Sequence, residues 1–213
     1  MDSKNEQQIL EYTITRVKDL FEKYPAPSHS FDHAEVVANF ARQIATEEKA
    51  KSVFICELAG YLHDIGRAAE HHDLGYTTEP KANHHHELSY LMLRDWFKEP
   101  AFEQLSAAQK NEVLYAIRNH WNNFADKYDT AWILRDADKL DCFGPRGLTR
   151  NIEHSNGDET RLNQILRNDF ECYFWLRTQT AKNITANQKM LDPILDYYEK
   201  FLKDRIQDVQ DFT

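Results

Sequence analysis

Apolar side chains recur at helical spacing along nearly the whole chain. Residues 4 to 24 place Ile9, Leu10, Ile14, Val17, Leu20 and Phe21 on one stripe. The Pro25-Ala26-Pro27-Ser28 turn ends it, because a residue before proline is pushed out of the α region. Asp32 is placed to cap a second helix, with Val36, Val37, Phe40, Ala41, Ile44 and Ala45 as its stripe. A third, from about Ser52 to Arg67, is apolar around most of its circumference and so predicted to be central. Residues 68 to 83 read as a polar loop with Gly75 and Pro80. Helices follow from about Asn83 to Lys98, from a cap at Ser106 through Trp121, and from about Thr130 to Asp141, closed by Gly144-Pro145. Beyond Gly157 come two long patterns, about 158 to 180 and 185 to 210. In the last, Asp192-Pro193 suits a fresh helix start or a kink. Its stripe of Leu191, Ile194, Tyr198, Phe201 and Leu202 reads as core. The prediction is an all-α fold in one domain, 1–213, its C-terminal helices (about 158–211) forming an extension that is partly a separate lobe.

Composition narrows the class. A chain of 213 residues, 41% hydrophobic and 12% aromatic, can bury a sizeable core. Its net charge of −9 argues against nucleic acid as a main partner. No apolar run approaches the roughly 20 residues of a membrane span, and the polar N-terminus is no signal peptide. Cys56, Cys142 and Cys172 are scattered, which favours a reducing compartment, and the chain reads as cytoplasmic.

Against this pattern, a few polar residues stand where apolar ones belong. His63 and Asp64 end the apolar run from Val53 to Leu62. Burying both without partners costs several kcal/mol, and a divalent cation would pair with both. Neighbouring helical residues point about 100° apart, so the two can grip one ion from adjacent directions. His120 shares a face with Val113, Ala116 and Ile117, and Asp138 lies among Ile133, Leu134, Ala137 and Leu140. With His33 and His85 they give the order His33, His63-Asp64, His85, His120, Asp138. Such nitrogens and carboxylates suit Zn, Mn, Fe, Ni or Co, and no thiolate is positioned to steer the choice. Asp136 and Asp141 rival Asp138, and His86 rivals His85, whose preference rests on spacing to Ser89. His71-His72 and His84 read as solvated neighbours.

The pattern His33…His63-Asp64…Asp138 resembles the HD superfamily of metal-dependent phosphohydrolases. The flanks Ser30-Phe31-Asp32-His33, Leu62-His63-Asp64-Ile65-Gly66-Arg67 and Arg135-Asp136-Ala137-Asp138-Lys139-Leu140-Asp141 agree, over roughly residues 28 to 150. The resemblance implies a metal-binding helical core with an ion held by His33, His63, Asp64 and Asp138. It makes His85 and His120 similar to the extra histidines some members use for a second metal. The segment Leu140 to Gly147 is similar to a subgroup of small bacterial hydrolases acting on nucleotides. Two departures matter. The glutamate that marks several nucleotidase and alarmone-hydrolase members is Arg67 here, and Trp121-Asn122-Asn123-Phe124 replaces the Gly-Tyr-Pro signature of cyclic-dinucleotide phosphodiesterases.

The expected function is hydrolysis of a small phosphorylated substrate by water activated on one or two divalent ions (Mn, Fe, Co, Ni, Zn or Mg). Asp64 is the expected ligand and proton acceptor. Arg67, Lys139 and Arg146 are candidate phosphate contacts, Arg67 through its planar fork. Diiron oxygenases of the same superfamily use the same six-ligand order, and a non-catalytic binding protein keeping the fold is a third class.

Overall fold

The computed structural model describes residues 2–27, 29–77 and 84–211. It is all-α: among the described residues the only β pairing is an isolated bridge between Ala26 and His29. No described helix is long and apolar enough to cross a membrane. Two compact units divide the chain, Met1–Asp138 and Lys139–Thr213.

The first unit contains α1 (Ser3–Lys23), α2 (Phe31–Glu47), α3 (Val53–Leu62), α4 (Gly66–His71), α5 (His85–Trp96), a 3₁₀ turn (Pro100–Phe102), α6 (Ala107–Arg118) and most of α7 (Asp129–Cys142). Asp2, Ser52 and Ser106 cap α1, α3 and α6 with their side chains, Ser106 in a full capping box with Gln109. The N-cap of α2 is Ser30, and Asp32 sits in its first turn, where a negative charge suits the helix dipole without capping it. As expected, α3 is buried nearly all round, with Ile55, Leu58 and Leu62 fully enclosed. Each such side chain contributes about 1.5–3 kcal/mol by leaving water. Gly60 lets α2 and α3 approach closely: a Cβ there would lie 2.4 Å from Ala38 Cα.

The helix predicted over 52–67 breaks at His63-Asp64-Ile65. The Arg67 and Ala68 N–H groups bond back three residues, to Asp64 and Ile65 carbonyls. The Gly66 N–H leaves the ladder and donates to Ser89 Oγ at 2.8 Å. The start of the predicted loop is also helical, since α4 runs on to His71. Ser28, Pro80 and the expected helix start at Asn83 lie outside the described residues.

The second unit, from Lys139, holds the end of α7, then α8 (Gly144–Ser155), α9 (Glu159–Phe174), α10 (Gln179–Asn187) and α11 (Asp192–Asp211). The periodicity missed α8. Gly144, with φ +75°, does close α7, but Pro145 then occupies the first turn of a new helix, where its missing N–H costs nothing. The pattern over 158–180 divides into α9 and the start of α10, and α11 starts at Asp192-Pro193, as that dipeptide predicts. Leu162, Leu166 and Ile194 form this unit's buried cluster, flanked by Leu148, Tyr197 and Tyr198. Leu202, expected in that core, is 56% exposed.

Candidate metal centre

Separate elements of the first unit carry the candidate ligands. His33 lies in the first turn of α2, His63 and Asp64 in the turn after α3, and His85 at the first position of α5. His120 follows the end of α6, and Asp138 sits on α7. These positions converge. His33 Nε2 is 3.1 Å from His63 Nε2, and His85 Nε2 is 3.1 Å from His120 Nε2. His33, His63 and Asp138 offer three donor atoms within 4.8 Å of one another, as do Asp64, His85 and His120.

Asp64 joins the two groups. Its Oδ2 is 3.6 Å from Nε2 of both His33 and His63, while its Oδ1 is 3.4 Å from His85 Nε2 and 3.7 Å from His120 Nε2. Asp138 Oδ1 completes the first group at 3.5 Å from His33 and 3.6 Å from His63. The backbone orients two of the rings. His63 Nδ1 donates to the Gly60 carbonyl at 2.8 Å and His120 Nδ1 to the Ile117 carbonyl at 2.6 Å, which turns each Nε2 towards the cluster.

The donor set fits a divalent ion. Buried Asp64 Oδ1 has no hydrogen-bond partner, an arrangement costly for a carboxylate unless a cation faces it. Burial alone would raise both carboxyls. His63 beside them, with His85 and His29 near Asp64 and His33 near Asp138, instead holds both well below the usual carboxylate range. Burial pushes His85 down to about 3 and also lowers His120, leaving both neutral, as ligands must be. At His63 burial pulls downward, but Asp64 and Asp138 outweigh it and lift the imidazole to about 9.

The neighbourhood separates the rivals. His85, four residues before Ser89, joins the cluster, whereas the His86 ring stands 5.5 Å from Trp121 and stacks with His84 at 5.2 Å. Asp141 belongs to the second unit and pairs there with Arg150 and, at 3.5 Å, with Arg146. Lys139 is in that unit too. Asp136 is buried and belongs to neither donor group. Arg67 is turned inward: Nη1 bonds Glu70 Oε2 at 2.9 Å and Nε lies 3.5 Å from Asp64 Oδ2.

Two residues near the cluster escape a reading by periodicity. Glu70, in the stretch predicted as loop, accepts the His85 N–H at 2.9 Å through Oε1 while holding Arg67 through Oε2. One helical turn from Arg67, it had only its i,i+3 spacing to announce it. His29, in the proline-rich turn, brings Nε2 to 3.6 Å from Asp64 Oδ2.

No curated protein matches the sequence. Solved structures sharing the fold include an HD-superfamily hydrolase from Bacillus thuringiensis, 23% identical with a TM-score of 0.69 over 93% of this chain and 97% of that one. Bacillus subtilis YpgQ in complex with ADP is 18% identical, with a TM-score of 0.66 over 94% and 96%. A predicted HD superfamily hydrolase from an uncultured Thermotogales bacterium is 22% identical, with a TM-score of 0.63 over 92% of each chain. The HD domain matches residues 30–142, more than half the chain and the stretch holding all six residues from His33 to Asp138, and the protein belongs to that family.

Proposed function

We propose that the protein is a metal-dependent phosphohydrolase acting on a small phosphorylated compound, with nucleotides the first class to test. The observation that carries this reading is Asp64, whose two oxygens each face a pair of histidine nitrogens. In it, His33, His63, Asp64 and Asp138 would hold one divalent ion, and Asp64, His85 and His120 would hold a second. Such an ion supplies a water acidified towards neutrality and polarises a phosphoryl oxygen.

The chain's own groups supply the rest. Asp64, with an oxygen towards each group, would fix the ions and is the candidate proton acceptor beside them. Arg67, committed to Glu70 and Asp64, balances the buried carboxylates and sets the position of Glu70, which in turn orients His85 through its N–H. To meet a phosphate, its fork would have to leave Glu70. Nucleotides come first because YpgQ, which shares the fold, was solved in complex with ADP.

The test is a screen of phosphomonoesters, nucleotides and phosphodiesters with added Mn, Co, Ni or Mg, beside metal analysis of anaerobically purified protein. Release of phosphate or pyrophosphate that depends on the metal is expected. Two irons with oxygen-dependent turnover would overturn the reading in favour of an oxygenase.

A further inference from the structure

His29 lies outside the six-residue order, yet the turn that carries it is built to aim it. Its N–H donates to the Ala26 carbonyl at 3.3 Å within the isolated bridge. The start of the turn is fastened as well, because His72 Nε2 donates to the Pro25 carbonyl at 3.0 Å. The ring is then oriented by the same device that orients His63 and His120. His29 Nδ1 is 3.2 Å from the Pro27 carbonyl, which can only accept, so Nδ1 donates there and Nε2 is the ring atom turned to the cluster.

Nε2 is 3.6 Å from Asp64 Oδ2, and the ring meets His33 edge-on at 5.2 Å. His29, His33 and Asp64 offer three donor atoms within 4.8 Å of one another. Two imidazole nitrogens and a carboxylate oxygen gathered this closely are the donor set that a divalent metal takes. With Nδ1 engaged by Pro27, Nε2 is the atom that reaches the cluster. The His29 side chain keeps 26% of its surface exposed, against 4% for His33 and none for His63, so it approaches from the solvent side.

We propose that His29 is a further ligand, on the solvent side, of the ion held by His33 and Asp64. The proposal rests on the reading of the cluster as a metal centre, and its test needs no substrate. Metal-free wild type, His29→Ala and His29→Asn are titrated with Co2+, followed by calorimetry and by the visible spectrum of the bound ion. His29→Asn keeps a side-chain N–H for the Pro27 carbonyl, so a loss common to both variants is not a collapsed turn. Both are expected to bind Co2+ about tenfold or more weakly, on the scale of altered metal-site partners, with a changed visible band. Melting of the metal-free proteins should be unchanged. Wild-type affinity and spectrum in both variants would overturn the role of His29 while leaving the metal centre standing. A wild type that binds no Co2+ would overturn both.

Discussion

The Gly66 N–H donates to Ser89 Oγ at 2.8 Å, and this bond brings the turn carrying Asp64 against the helix carrying His85. Only glycine permits the approach: a Cβ at Gly66 would sit 2.2 Å from the His85 carbonyl oxygen and 2.4 Å from Ser89 N. Gly66→Ala should therefore push α5 away and cost about 1–3 kcal/mol, the range for overpacking a tight contact. Thermal melts with and without added metal check this. The variant should melt lower in both and gain less from the ion than wild type.

Asp64 has the widest role, since its two oxygens face different histidine pairs. Asp64→Ala should abolish metal-dependent turnover and lower the metal content of both groups, which elemental analysis would show. The melting increment on adding metal should shrink too, because a ligand that binds only the folded chain stabilises it by mass action. Full metal content with normal turnover would mean that the carboxylate is structural.

The two groups should also separate by stoichiometry. His85→Ala or His120→Ala is expected to reduce bound metal from two ions towards one. His33→Ala or Asp138→Ala should empty the centre more fully. One ion per wild-type chain, unaltered by losing His85 or His120, would refute the two-ion arrangement.

The histidines give the metal-free chain opposing pH limbs. His63 is raised from 6.5 to about 9, so its stabilisation is full below 6.5 and lost as pH rises through 9. His29 and His85 are lowered from 6.5 to about 4 and about 3 by burial. Their unfolded forms take up protons first, so stability falls as pH drops below 6.5. At lower pH the depressed carboxyls of Asp64 and Asp138 add to that loss. Denaturant titrations from pH 4 to pH 10 on chelated protein should show a maximum near neutrality. Adding metal should flatten the alkaline limb, because the ion takes the place of the His63 proton. A metal-free alkaline limb that survives in His63→Ala would show that other groups cause it.

Polar residues on apolar helix faces were the legible part of this centre. His120 and Asp138 betray themselves because Ile117 and Ala137 beside them are fully buried. His85 could be preferred to His86 from its spacing to Ser89, since both lie on the α4-facing side of α5. His29 could not be found this way, as it sits in a turn where no period defines an inside. Glu70 was hidden for a related reason: α4 spans only Gly66–His71, too short for a stripe to stand out. The break after α3 was also invisible, because Ser89 Oγ, twenty-three residues away, competes for the Gly66 N–H. The same holds for α8, whose Gly-Pro start reads as an ending until Met190, far along the chain, accepts the Gly144 N–H.

The clasp of His72 on Pro25 and the bond from Gly66 to Ser89 lie on either side of the connection between α4 and α5. Glu70 of α4 also holds the His85 N–H at 2.9 Å. The short helix α4 thus works as a splint against which the first turn of α5 is set, and the imidazole of His85 inherits its place from that splint.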